Sequence, residues 1–293
     1  MSFSKNQFRV AIILLNYNSA SECRLFLESL YKYEDGIKVY VVDNDSTPSD
    51  LNNLKELSYD FELISLATNK GYAAGNNAGI SKAISDGYEY IAIANADTRL
   101  LESDTIKKLI STLNDFNGDI IGPKLVSSLG SIDSGIVISD KYGRTKRINV
   151  ESLSTACSIV GAFWLMRADT IKKFGFLPEE YFLYREETDY MENVVKNGGI
   201  VLYQPKVTVL HDHGATTGDV WDYYFNRNTI IFAERKAMTT NSHIYLFHLL
   251  KTIYLTGAII LGGRKRKNKL KAIRLSWKAY IDGINGILGK TDL

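Results

Sequence analysis

Apolar runs that alternate with helical patterns predict an α/β chain built on a mostly parallel central sheet with helices on both sides. Three such runs, at residues 8–15, 38–42 and 61–67, each stop at a polar cluster, and each is followed by a helix-like segment. A fourth runs from Tyr90 to Asn95-Ala96-Asp97. In sheets of this kind ligands bind beyond the carboxyl ends of the strands, so the four clusters are expected to meet at one crevice.

The elements follow in order. Residues 8–15 end at Asn16-Tyr17-Asn18, and residues 22–31 then place Leu25, Phe26, Ser29 and Leu30 on one helical face. Residues 38–42 end at Asp43-Asn44-Asp45-Ser46, ahead of a short turn near 51–57. Residues 61–67 end at Thr68-Asn69-Lys70-Gly71, ahead of a helix over 76–85. Past Asp97 a further helix is expected to begin near Asp104. Glu186-Glu187-Thr188-Asp189 then opens a helical pattern through Tyr190, Val194 and Val195, and a strand at 207–210 leads into His211-Asp212-His213.

Composition narrows the class. A chain of 293 residues with 45% hydrophobic residues can bury a substantial core. A net charge of +2 and the lack of any RNA- or DNA-binding motif give no support to nucleic acid as a partner. Cys23 and Cys157 lie far apart and outside any CxxC, which fits a reducing cytosol and argues against zinc. Residues 1–7 are polar and the next apolar run is short, so no secretory signal is expected.

Several side chains carry candidate chemistry. Asp97, just past a buried strand, can hold a divalent cation on a diphosphate, or it can cap the turn into the next helix. Asp43 can accept from a base N–H or a ribose hydroxyl and Tyr17 can lie against a base, although Asn16, Asn18, Asp43 and Asn44 are also turn formers. Gly71, Gly75 and Gly79 stand four apart, which matches neither GxGxxG nor a P-loop. Their spacing suits a helix start near a nucleotide, close packing of helix on sheet, or both. Glu186, Glu187 and Asp189 supply a candidate general base, or acids that favour a helix amino terminus. His211 and His213 are metal-ligand or structural histidines.

Seven motifs stand in order: Leu15-Asn16-Tyr17-Asn18, Val42-Asp43-Asn44-Asp45-Ser46, residues 69–79, Asn95-Ala96-Asp97, Gly161-Ala162-Phe163, Glu186-Glu187-Thr188-Asp189, and His211. On these the chain resembles inverting, nucleotide-sugar-dependent glycosyltransferases of family 2 with the GT-A fold, and among them bacterial rhamnosyltransferases of surface polysaccharide assembly. The resemblance covers roughly residues 10–236. It implies that Asp97, in the Asn-x-Asp form of the family's acidic element, holds manganese or magnesium, with His211 completing the metal site. It also implies that Asn16, Tyr17, Asn18, Asp43, Asn69, Gly71, Asn76 and Asn95 border the nucleotide and that Arg227 is a cation for the diphosphate. Glu187 falls where the family carries a catalytic Asp. The longer side chain is a departure, and it leaves Glu186 and Glu187 both open as the base.

The implied reaction moves a sugar, first L-rhamnose from dTDP-rhamnose, to a lipid-linked cell-surface glycan. UDP-dependent galactosyl, glucosyl or N-acetylglucosaminyl transfer is the alternative, and an inactive glycan-binding or scaffold protein is the alternative from another class. A nucleotidylyltransferase is disfavoured because no glycine-rich loop with Arg and Lys follows the first strand. The expected organisation is a GT-A catalytic domain at 1–238, with a nucleotide-binding half at about 1–100 and an acceptor-binding half at about 101–238, then a helical extension at 239–293. Within the extension, an apolar stripe from Leu246 to Leu261 precedes a basic run at 264–271. That pairing suits contact with an anionic membrane surface, or packing on the catalytic domain or a second subunit. The expected location is the cytoplasm, at the inner face of the cell membrane, and the oligomeric state is open.

Overall fold

The computed structural model describes residues 8–132, 135–140, 143–212, 218–236 and 266–293, with isolated positions between 243 and 257. His213, Ile260 and Leu261 of the apolar stripe, and Arg264 and Lys265 of the basic run lie outside these residues.

The amino-terminal half alternates as its sequence predicts: β1 (Val10–Asn16), α1 (Ala20–Tyr33), β2 (Lys38–Asp43), α2 (Pro48–Lys55), β3 (Glu62–Ser65), α3 (Tyr72–Ser85) and β4 (Tyr90–Asn95). Then come β5 (Thr98–Leu100), α4 (Thr105–Asp115), β6 (Ile120–Val126), β7 (Ile136–Ser139), β8 (Thr145–Ile148), β9 (Ser154–Ala156), β10 (Ser158–Ile159) and β11 (Phe163–Arg167). The chain continues through α5 (Ala168–Phe174), a 3-10 turn (Glu179–Tyr181), α6 (Glu186–Lys196), β12 (Val201–His211), α7 (Asp219–Arg235) and α8 (Arg266–Ile284).

The main sheet has the order β3-β2-β1-β4-β11-β6-β12-β5, with β9 also paired to β12. Strands β3, β2, β1 and β4 are mutually parallel, β11 runs against both β4 and β6, and β12 is parallel to β6. Six of the nine strands therefore share one direction, which makes the sheet mostly parallel. Ile12 and Leu14 of β1 enter one buried cluster with Phe26 and Leu30 of α1, while Ala11 and Ile13 enter another with Ile80 of α3. A strand buried on both faces needs apolar residues at every position, which is why these runs read as continuous rather than alternating.

Helix α3 begins at Tyr72, four residues before the expected start at 76. Its glycines explain the difference. A Cβ at Gly75 would collide with the Leu15 side chain and one at Gly79 with Ile13, so the helix lies against β1 where only glycine fits. Gly71 has φ +100° and ψ −177°, a region reserved for glycine, and a Cβ there would strike the Phe182 carbonyl. Gly71→Ala is expected to destabilise by at least about 1–3 kcal/mol from backbone strain alone. A lowered urea midpoint with an unchanged m-value would show it.

Strand β12 extends beyond the expected 207–210 because the chain pairs with β6 on both sides of an irregularity between Gln204 and Thr208. Pro205 lies inside that irregularity, where a missing N–H costs the ladder nothing. Helix α8 packs on α7, burying Leu275, Ala279 and Tyr280, and Gly283 lies against Ile230. Among the described residues, no helix is long and apolar enough to cross a membrane.

Candidate active site

Asp97 sits in a two-residue turn between β4 and β5 rather than at the start of α4, where Asp104 stands. The turn is held from several directions. Thr98 Oγ1 donates to the Asn95 carbonyl (2.7 Å), Arg99 Nη1 donates to the Ala96 carbonyl (2.6 Å) and the Asp212 N–H donates to the Asp97 carbonyl (3.1 Å). Arg99 is fixed in turn by Glu22. Pairing of β12 with β5 sets His211 opposite Thr98 and brings His211 Nε2 to 3.5 Å from Asp97 Oδ1. A carboxylate oxygen beside an imidazole nitrogen is a donor set that suits a divalent cation. Among the described residues no cluster of three His, Cys, Asp or Glu stands together.

Two cavities meet at this turn. One, of about 680 Å³, lies over the strand ends and is lined by Tyr17, Asn18, Asn44, Asn69 and Gly71. The other, of about 740 Å³, is lined by Gly161, Glu186, Glu187, His211, Arg147 and Trp221. Tyr72, Asn95, Asp97 and Leu183 line both. Tyr17 is 50% exposed and available to a planar ligand. Asn69 Oδ1 accepts from the Gly71 N–H (2.9 Å) and from Asn44 Nδ2 (3.1 Å), which shapes the wall between them.

Four expected site residues are placed differently. Asn16 is fully buried, its amide donating to Asp43 Oδ1 (2.8 Å) and Asp50 Oδ2 (2.9 Å), and Asp43 is buried as well. Neither is among the residues lining these two cavities. Asn76 is buried on α3 and donates to the Tyr72 carbonyl (3.0 Å). Arg227 is placed on the fold side of α7. Its guanidinium is fully buried and donates to the carbonyls of Tyr181 (2.8 Å) and Gly289 (2.8 Å), so it is spent on the fold rather than facing a cavity. The short polar residues gave no signal separating a brace from a ligand contact, since both uses favour Asn and Asp at strand ends.

The acid pair opens α6 after a strained approach. Phe182, Tyr184 and Arg185 all have positive φ (68°, 68° and 82°), each costing roughly 1–3 kcal/mol. Asn228 holds this loop, donating to the carbonyls of Tyr181 (2.9 Å), Leu183 (2.6 Å) and Tyr184 (3.0 Å). Sequence reasoning missed Asn228, whose only signal was its place beside Arg227. Asp189, the third acid of the cluster, turns away to Lys236 (2.8 Å) and the Tyr181 hydroxyl (2.9 Å).

Glu187 lies against Gly161, where a Cβ would come within 2.6 Å of its Cγ, so the glycine makes room for the carboxylate. Burial raises the Glu187 carboxyl above the ordinary glutamate value, with Arg185 and Arg147 acting in the opposite sense. Burial raises Glu186 well above its ordinary value, and the neighbouring Glu187 charge adds to this. Glu186 Oε2 has no hydrogen-bond partner among the described residues.

The folded state therefore keeps a proton on Glu186 over a pH window in which the unfolded chain has lost it. Stability from this group is present below the ordinary glutamate pKa and declines as pH rises through that window. Glu186→Gln, which cannot ionise, is expected to raise stability at neutral pH relative to wild type, with the gain shrinking toward pH 4. Thermal unfolding of both proteins across pH checks this.

The fold is that of the GT-A glycosyltransferases. Similar solved structures include GalNAc-T7 with UDP, GalNAc and Mn2+ (TM-score 0.63, 12% identity, 97% of this chain and 58% of that one). They also include the mannosyltransferase PcManGT of Pyrobaculum calidifontis with GDP-Man and Mn2+ (TM-score 0.59, 15% identity, 97% and 89%). The chain belongs to glycosyl transferase family 2, whose model matches residues 11–175. It is 25% identical over 275 residues to the dTDP-rhamnosyl transferase RfbF of Shigella flexneri, covering 87% of this chain and 89% of that protein. It is also 24% identical over 192 residues to the low-salt glycan biosynthesis hexosyltransferase Agl10 of Haloferax volcanii, covering 62% and 60%.

Proposed function

We propose that the chain is an inverting, metal-dependent transferase that moves L-rhamnose from dTDP-rhamnose to a lipid-linked cell-surface glycan. The observation that carries this reading is the meeting of two cavities at Asp97, with the acid pair in the second. The first would take the nucleoside diphosphate, with Tyr17 against the base. Asp97 and His211 would hold a divalent cation, which when bound offsets the charge that develops on the diphosphate. Glu187 would remove the proton from the acceptor hydroxyl as it attacks the anomeric carbon from the second cavity. Trp221, stacked on Phe225 at 4.8 Å and 41% exposed, offers an apolar face to the acceptor sugar.

The choice of rhamnose is supported by the similarity to RfbF along nearly the whole chain. The domain division near 238 and a location at the inner membrane face belong to the same reading, supported by the basic run at 264–271 and the lipid-linked acceptor. The experiment is to offer purified protein a panel of thymidine and uridine diphosphate sugars with manganese or magnesium, measuring binding and release of nucleoside diphosphate. Selective, metal-dependent turnover of dTDP-rhamnose is expected. Preference for a UDP-hexose would replace the donor, and no binding to any member would reject the reading.

A further inference from the structure

We propose that the segment at residues 289–292 completes the donor cavity and that Lys290 is its cation for the diphosphate. This rests on the reading that the cavity takes a nucleoside diphosphate. Lys290, Thr291 and Asp292 line the cavity together with Tyr17, Asn18 and Asp97, although they lie at the far end of the sequence. Among the described residues that line it, Lys290 is the one Lys or Arg. The acids there are Glu22, paired with Arg99, Asp97 beside His211, and Asp292. The diphosphate gains negative charge as it leaves, against a wall already lined by acids, and Lys290 is placed to offset it beside the metal ion.

The segment is a built wall rather than a loose end. The Gly289 N–H donates to the Glu180 carbonyl (2.7 Å), and the Gly289 carbonyl accepts from Arg227 Nη1 (2.8 Å). Thr291 Oγ1 accepts from the same nitrogen (3.2 Å). The Tyr224 hydroxyl accepts from the Thr291 N–H (2.7 Å) and donates to the Thr291 carbonyl (3.2 Å). Gly289 at φ +74° turns the chain between these anchors, and Lys290 Nζ stands 6.0 Å from the Phe182 ring, itself part of the cavity wall. The buried Arg227 therefore acts on the donor indirectly, by fixing the segment that carries the exposed cation.

The test compares wild type, Lys290→Ala, Lys290→Arg and Tyr224→Phe by calorimetric binding of TDP and UDP with manganese, using thymidine and uridine as phosphate-free probes. Lys290→Ala is expected to weaken the nucleoside diphosphate that wild type prefers by about tenfold while leaving the nucleoside unchanged, and Lys290→Arg to recover most of the loss. Tyr224→Phe, which removes two of the hydrogen bonds that hold Thr291 but keeps the lysine, is expected to weaken the same ligand to a lesser extent. Equal diphosphate binding by wild type and Lys290→Ala would overturn this inference alone. Failure of wild type to bind either diphosphate would overturn the functional reading and this inference with it.

Discussion

Glu187→Gln is expected to lower kcat by about 10²- to 10⁴-fold, the usual contribution of a general base, with donor affinity within about twofold of wild type. Glutamine keeps the shape that Gly161 accommodates but cannot take a proton, so the change isolates the proton transfer. Glu187 sits in the second cavity and not in the first, so removing its charge leaves the strand-end contacts intact. Burial holds its carboxyl above the ordinary glutamate value, and the base works only when ionised. Activity should therefore fall as pH drops through that raised value, and the acid limb should vanish in the variant's residual rate. Near-normal turnover by Glu187→Gln would reject the assignment and move the role to Glu186, whose carboxylate is more deeply buried.

Asp97→Ala should abolish the stimulation of donor binding by manganese or magnesium, weakening it by about 10²-fold or more, since a bound cation is worth several kcal/mol of charge stabilisation. The backbone of the turn is held by Thr98, Arg99 and the Asp212 N–H, none of which uses the Asp97 side chain. The variant should therefore fold, which circular dichroism can check. Chelation of wild type with EDTA should reproduce the variant's affinity, and adding metal back should restore wild type only. If metal still strengthens donor binding in Asp97→Ala, the cation is held elsewhere. His211→Ala removes the imidazole of the pair and should cost less.

The amino-terminal strands were legible because burial on both faces forces an unbroken apolar run, and each run stops where the chain emerges at the ligand side. The start of α3 was placed late because Gly71 and Gly75 read as turn residues. Packing against Leu15 and Ile13 outweighs their poor helix propensity. Strands β6 and β11 escaped notice because they pair with partners distant in sequence, and nothing local marks that pairing.

Sequence by itself determined the α/β class, the polar strand ends, Asp97 as the metal candidate and the acid pair as the base candidate, because each depends on residue type and local period. Tertiary structure alone decided which of those polar groups face a cavity. Asn16, Asp43, Asn76 and Arg227 are buried by neighbours that no local pattern specifies. Asn228 holds the strained loop before Glu186, and Lys290 reaches the first cavity from the far end of the chain. Burial and direction are set by contacts between residues distant in sequence, and only the folded chain brings those residues together.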